Sequence, residues 1–192
     1  MGLSCAASAG FIYCVGGANT VGTLESNATY YAPISSSGVG QWAATTSYPS
    51  TVDDESCVTS GGFIYCIAGY TALGPQAISA TYYAPLSSAG IGAWTAGTAY
   101  PTADSGLSCV TVGGYAYCVG GIVGQGSATS AVYDAQLSSS GGIGAWSSAE
   151  SYPTDTITSC VATGSVIACV SGSTSSGVEG LTDAVYYTSV TT

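Results

Sequence analysis

Eight cysteines and ten acidic side chains are the groups in this 192-residue chain that could do chemistry. The cysteines form four couples with partners nine positions apart: Cys5 and Cys14, Cys57 and Cys66, Cys109 and Cys118, Cys160 and Cys169. Paired thiols bridge or bind metal, and one couple supplies two ligands where a structural zinc takes four. Disulfides are the expected chemistry, and with them an oxidising compartment. Among the acids, Asp53, Asp54 and Glu55 form the densest cluster. It is a candidate set of oxygen ligands for Ca2+, the one ion the composition suggests, although no EF-hand-like loop surrounds it. Glu150 and Asp155 are the couple a two-carboxylate glycosidase would use. Neither has a context that builds a pocket, so the expectation is that the chain is not an enzyme and needs no cofactor.

What is missing excludes more. The chain has no Lys, Arg or His, and a formal charge of -10. Without imidazole there is no Ser-His or Cys-His pair, and without lysine no Schiff base. Nucleic acid and anionic membrane surfaces are bound mainly through Lys and Arg, so both partners are set aside. Only 5% of residues are charged against 46% hydrophobic, which is the composition of a folding chain rather than an acidic disordered tail. No apolar run reaches the length of a membrane span, and the start at Met1 has no basic n-region, which reads as a mature or processed terminus.

The elements that position the cysteines repeat about every fifty residues. Cys5, Cys57, Cys109 and Cys160 each open a segment with the same order of landmarks. In the second segment a run ending at Ser60 is followed by Gly61-Gly62, then Phe63-Ile64-Tyr65-Cys66, Tyr82-Tyr83-Ala84-Pro85, Trp94 and Tyr100-Pro101. Short β-branched and aromatic runs between Gly, Ser and Pro clusters predict four antiparallel strands per segment and essentially no helix. Ala9-Gly10, Gly61-Gly62, Gly113-Gly114 and Gly164-Ser165 predict two-residue turns. Counting outward from Gly61-Gly62 sets Cys57 opposite Cys66 in a non-hydrogen-bonded pair, where Cα atoms lie roughly 4.5 Å apart. Four bridges within the segments follow, each worth about 2 to 3 kcal/mol.

Four-stranded units at this period describe a β-propeller, with each unit a blade. An apolar run ending in Gly-Gly, then a Tyr and a Trp, resembles the kelch family. Here those residues are Ile12-Tyr13-Cys14-Val15-Gly16-Gly17 with Tyr31 and Trp42, and Ala116-Tyr117-Cys118-Val119-Gly120-Gly121 with Tyr133 and Trp146. Together with the paired cysteines and Tyr82-Tyr83-Ala84-Pro85-Leu86-Ser87-Ser88, the repeats are similar to secreted kelch-like surface proteins of prokaryotes, archaea especially. The resemblance implies a single all-β domain over 1–192, a propeller of four blades at about 1–48, 49–100, 101–152 and 153–192. The last blade lacks its fourth strand, the one that carries Trp. Either four blades close a ring or the chain is an arc of a longer array.

Propeller connectivity sends Glu25, Glu179 and Asp183 to loops between second and third strands. It sends Asp53, Asp54, Glu55, Asp104, Glu150 and Asp155 to the connections between blades, on the same face; only Asp134 lies on a strand. This acidic face is expected to serve solubility. The opposite face carries Ser35-Ser36-Ser37, Ser87-Ser88 and Ser138-Ser139-Ser140 and no charge. Trp42, Trp94 and Trp146 recur at one position and are expected in the core between blades rather than on a sugar. Asn27-Ala28-Thr29 is a glycosylation sequon. The run around Val185, Tyr186 and Tyr187 is expected to be an outer edge open to strand addition. These features point to a secreted, cell-surface structural or adhesive module that assembles into a layer, sheath or filament. Its partners are its own copies or neighbouring modules; the alternative is a glycan- or Ca2+-dependent binding propeller.

Overall fold

Four tight turns set the register of the chain. In a computed structural model, which describes residues 2–18, 25–71, 77–124, 126–174 and 180–190, both residues of the first three turns have positive φ. Gly61 and Gly62 lie at +58° and +82°, Gly113 and Gly114 at +58° and +81°, and Ala9 and Gly10 at +48° and +81°. These are the angles a type I′ hairpin needs, and glycine takes them at no steric cost. Ala9 takes them against its Cβ.

From each turn the strands run out in register. Ser56–Ser60 pairs with Phe63–Tyr70, setting Val58 opposite Tyr65 and Cys57 opposite Cys66. Phe63–Tyr70 then pairs with Ala77–Ser87, whose far edge takes the two-residue strand Thr95–Ala96. The first unit repeats this with Ser4–Ser8, Phe11–Val15, Thr29–Ser35 and Ala43–Ala44. The third uses Ser108–Val112, Tyr115–Val119, Val132–Gln136 and Ser147–Ser148. In the fourth, Ile157–Thr163, Val166–Ser173 and Leu181–Ser189 form a three-stranded sheet, with no strand among the described residues on the outer edge of the last. All of these pairings are antiparallel, and no helix occurs among the described residues.

The first strands of successive units stand side by side, tied by one repeated hydrogen bond. Ser4 Oγ accepts from the Cys57 N–H at 2.8 Å, Ser56 Oγ from Cys109 at 2.9 Å, and Ser108 Oγ from Cys160 at 2.9 Å. The sheets bury their faces on one another, giving three cores, one per junction. Tyr13, Val15 and Tyr48 meet Cys57, Ile64, Cys66 and Ala84. Val58, Tyr65, Ile67 and Tyr100 meet Cys109, Ala116, Cys118 and Ala135. Val110, Val112 and Val119 meet Cys160, Ile167 and Cys169. The pattern follows from strand alternation. One face of each sheet carries tyrosine and valine or isoleucine, and the other carries the disulfide.

Candidate functional site: repeated interfaces and two open faces

All eight cysteines are bridged as the turn geometry requires: Cys5 to Cys14, Cys57 to Cys66, Cys109 to Cys118 and Cys160 to Cys169. The Cα atoms approach to 4.0–4.1 Å, somewhat closer than expected, and no cysteine is free. Four intramolecular bridges fit an oxidising environment. Three of them lie buried at junctions; Cys5, on the face before the first unit, is exposed.

The aromatic position repeats as closely. Trp94 stands edge-on to Tyr48 of the preceding unit, with ring centroids 4.9 Å apart, and its indole N–H donates to the Thr46 carbonyl at 3.2 Å. Trp146 does the same with Tyr100 at 5.0 Å and with the Thr98 carbonyl at 3.2 Å. Two of the three tryptophans thus lie between units as expected. Trp42 has no preceding tyrosine beside it and remains 45% exposed. Trp94→Ala is therefore expected to cost about 3 kcal/mol, and Trp42→Ala under about 1 kcal/mol. Urea titration of the two variants checks this, and equal losses would show that the tyrosine contact contributes nothing.

The acidic residues depart from the expected solvent-facing surface. Asp54, Glu150, Asp155 and Asp183 are exposed, and Glu25, Asp53 and Asp134 are half-buried. Glu55 and Asp104, however, are only 5% and 1% exposed, and Glu179 lies outside the described residues. The correction has a physical origin. Asp104 pairs with Ile78 as Val52 pairs with Ser26 and Thr156 with Thr129, so it occupies a column that is buried at each of the three junctions. Glu55 stands two residues before its cysteine, where the third unit has the buried Leu107. Among the described residues neither carboxylate oxygen of Glu55 makes a hydrogen bond of good geometry, nor does Asp104 Oδ1. A side chain at Gly121 would strike the Asp104 carboxylate, so that glycine makes the room for it.

Burial without a counter-ion disfavours ionisation. Glu55 is pushed up to about 8, chiefly by desolvation, and the backbone N–H groups of Glu55 and Ser4 offset this only in part. Desolvation likewise raises Asp104 to about 7 against the N–H groups of Ser105 and Ile122. Asp53 rises to about 6 by desolvation, then by the neighbouring charges of Asp54 and Glu25. Burial carries Tyr48 and Tyr100 far above the usual phenol range, with Glu55 and Asp104 adding to the respective effects. No three acidic or cysteine side chains converge as a metal cage among the described residues. In sequence, Val52 at the position of Asp104 and Leu107 at the position of Glu55 are the signal for these buried acids.

The outer faces of the first and fourth units are open. On the fourth, Val161, Val170, Val185 and Tyr187 are 63%, 46%, 62% and 80% exposed. Ile67 and Val119, which stand where Val170 does, are 0% and 4% exposed. On the first, Cys5, Tyr30, Val39 and Trp42 are exposed, whereas their counterparts Cys57 and Ile91 are buried and Tyr82 and Trp94 pack into a core. Asn27 is exposed, with its carbonyl accepting the Tyr48 N–H at 2.8 Å, so the sequon side chain faces solvent.

These features define a class: an all-β protein of repeated antiparallel sheets, each stapled by one disulfide and packed face to face. Within that class the chain is similar to the solved structure titled "Structure of YjhT", a propeller-like neighbour, with a TM-score of 0.77. The identity is 16%, a likeness of fold alone, and the match covers 97% of this chain and 62% of that one. No protein-family pattern and no curated protein sequence matches the chain.

Proposed function

We propose that the chain is an extracellular structural or adhesive module, a row of four kelch-like propeller blades that joins further units of its own kind in a surface layer, sheath or filament. One observation carries this reading. The faces at the two ends of the row expose the side-chain positions that the three junctions bury. Ser159 on the fourth unit stands where Ser4, Ser56 and Ser108 accept a neighbour's N–H, and it is exposed. A head-to-tail contact between such faces is heterologous and propagates into rings or fibres. Glu150 and Asp155 are both exposed, and Glu150 lines a groove between the third and fourth units that Asp155 does not line.

Light scattering and negative-stain electron microscopy over a concentration series test the reading. Rods, rings or sheets that shorten in the Val161→Asp, Val170→Asp double variant are expected. Monodisperse single particles at every concentration would overturn it. Calcium binding through Asp53, Asp54 and Glu55 is the second reading, although these three carboxylates do not converge on one point among the described residues. It requires a melting temperature that rises with added CaCl2 and falls again with chelator.

A further inference from the structure

Between the third and fourth units lies a groove of about 240 Å3, lined by Glu150, Tyr152, Pro153, Ile167, Tyr186 and Tyr187. Its walls correspond residue by residue to the surroundings of Trp94 and Trp146, the two tryptophans packed between units. Tyr48 meets Tyr82 edge-on at 5.3 Å and Tyr100 meets Tyr133 at 5.4 Å; Tyr152 meets Tyr186 in the same way at 5.1 Å and 81°. Ile167 stands where Ile64 and Ala116 stand in the second and third units. Glu150 comes two residues before Tyr152, as Thr46 and Thr98, whose carbonyls accept an indole N–H, come before Tyr48 and Tyr100. Only the tryptophan has no counterpart. Tyr48 and Tyr100 are 1% and 2% exposed, while Tyr152 is only half-buried.

The strand edge beside the groove is equally ready. In the first three units the residues after Trp pair with the third strand, Thr95 with Tyr83 and Ala96 with Tyr82 in the second. The Gly97 N–H donates to the Thr81 carbonyl at 2.8 Å, as Thr45 does to Thr29 at 3.0 Å and Ala149 to Val132 at 2.9 Å. By antiparallel alternation, the third-strand residue two further on is the next to bond outward. In the fourth unit these outward positions are Val185 and Tyr187, and no strand pairs with them among the described residues.

We infer that this groove and edge form a docking site for an extended polypeptide segment that carries a Trp followed by two small residues. The Trp fills the space beside Tyr152 and Tyr186, its indole N–H donates to the Glu150 carbonyl, and the next two residues pair with Tyr187 and Tyr186. Strand addition supplies the main-chain hydrogen bonds and the aromatic slot supplies the selectivity. The tyrosine pair already stands in the geometry of the filled sites, so little ordering cost opposes entry. The inference rests on the assembly reading above and names the chemistry of the segment that completes the fourth unit.

The test titrates the monomer fraction of the 192-residue chain with a fluorescein-labelled peptide Gly-Gly-Ile-Gly-Ala-Trp-Ser-Ser-Ala, the order of residues 141–149. Saturable anisotropy and a rise in melting temperature are expected. Replacing the peptide's Trp by Ala should weaken binding at least about tenfold. Tyr187→Pro on the protein removes an outward N–H at an exposed edge position and should abolish binding while leaving the melting temperature of the free chain nearly unchanged. Tyr152→Ala should weaken binding through the slot alone. No binding at millimolar peptide, equal binding of the Ala peptide, or full binding by Tyr187→Pro would each overturn the inference. A chain that assembles in light scattering without taking up peptide sinks the docking site and spares the assembly reading; peptide uptake by a chain that stays monomeric does the reverse.

Discussion

Reducing the four disulfides is expected to bring the chain close to unfolding at room temperature. Each bridge joins residues nine apart. Closing a loop of about ten residues removes enough denatured-state entropy to contribute roughly 2.7 kcal/mol. Four such loops contribute about 10 kcal/mol, as large as the whole stability of an ordinary domain. For a chain of this length that corresponds to a fall in melting temperature of roughly 20 to 40 °C. Calorimetry with and without a phosphine reductant measures it, and a shift of only a few degrees would show that the repeat interfaces alone hold the fold. Single bridges should differ in a way that loop length does not predict. The Cys57–Cys66 bridge is packed against Tyr13, Val15 and Tyr48, whereas Cys5 is exposed on an open face. Cys57→Ala with Cys66→Ala therefore leaves a cavity as well as a longer free loop, and should cost about 1 to 2 kcal/mol more than Cys5→Ala with Cys14→Ala. Equal costs for the two pairs would mean that the bridges act only on the unfolded chain.

The pairing of the cysteines was legible because a two-residue turn leaves no freedom of register. Once Gly61-Gly62 is the turn, Cys57 can face nothing but Cys66. The repeated position of tryptophan was legible for the same reason, being one place in one unit copied along the chain. What a repeat does not reveal is whether each copy has a neighbour. Trp42 and Trp94 are the same position in sequence, yet one is 45% exposed and the other donates a hydrogen bond into the preceding unit. The difference belongs to the row and not to the residue. Burial of the acids was not legible in the same way, because carboxyls between strands have the spacing of loop residues, and only their column neighbours Val52, Leu107 and Thr156 mark the positions as interior.

Those buried acids make the protein's stability fall with rising pH. An acid whose folded value lies above its ordinary value stays protonated in the folded chain through a range where the unfolded chain has already ionised. The folded state then binds more protons, and stability drops as pH rises through that range. For Glu55 the range runs from 4.5 to about 8, and for Asp104 from 3.8 to about 7. At 1.36 kcal/mol per pH unit, and discounted for relaxation and water entry, the two ionisations together oppose folding by on the order of 5 kcal/mol. The melting temperature should therefore be roughly 10 to 20 °C higher at about pH 5 than at about pH 8.5. Repulsion among ten carboxylates with no Lys, Arg or His in the chain acts in the same direction, so the local effect needs its own control. Glu55→Gln with Asp104→Asn removes the two buried titrations and should flatten most of the slope, raising stability at the alkaline end. Asp183→Asn removes one exposed charge and should leave the slope in place. A melting temperature that is level or rising from pH 5 to 8.5 in the parent chain would refute the account. A slope that Asp183→Asn reduces as much as the double variant would assign the effect to net charge instead of burial.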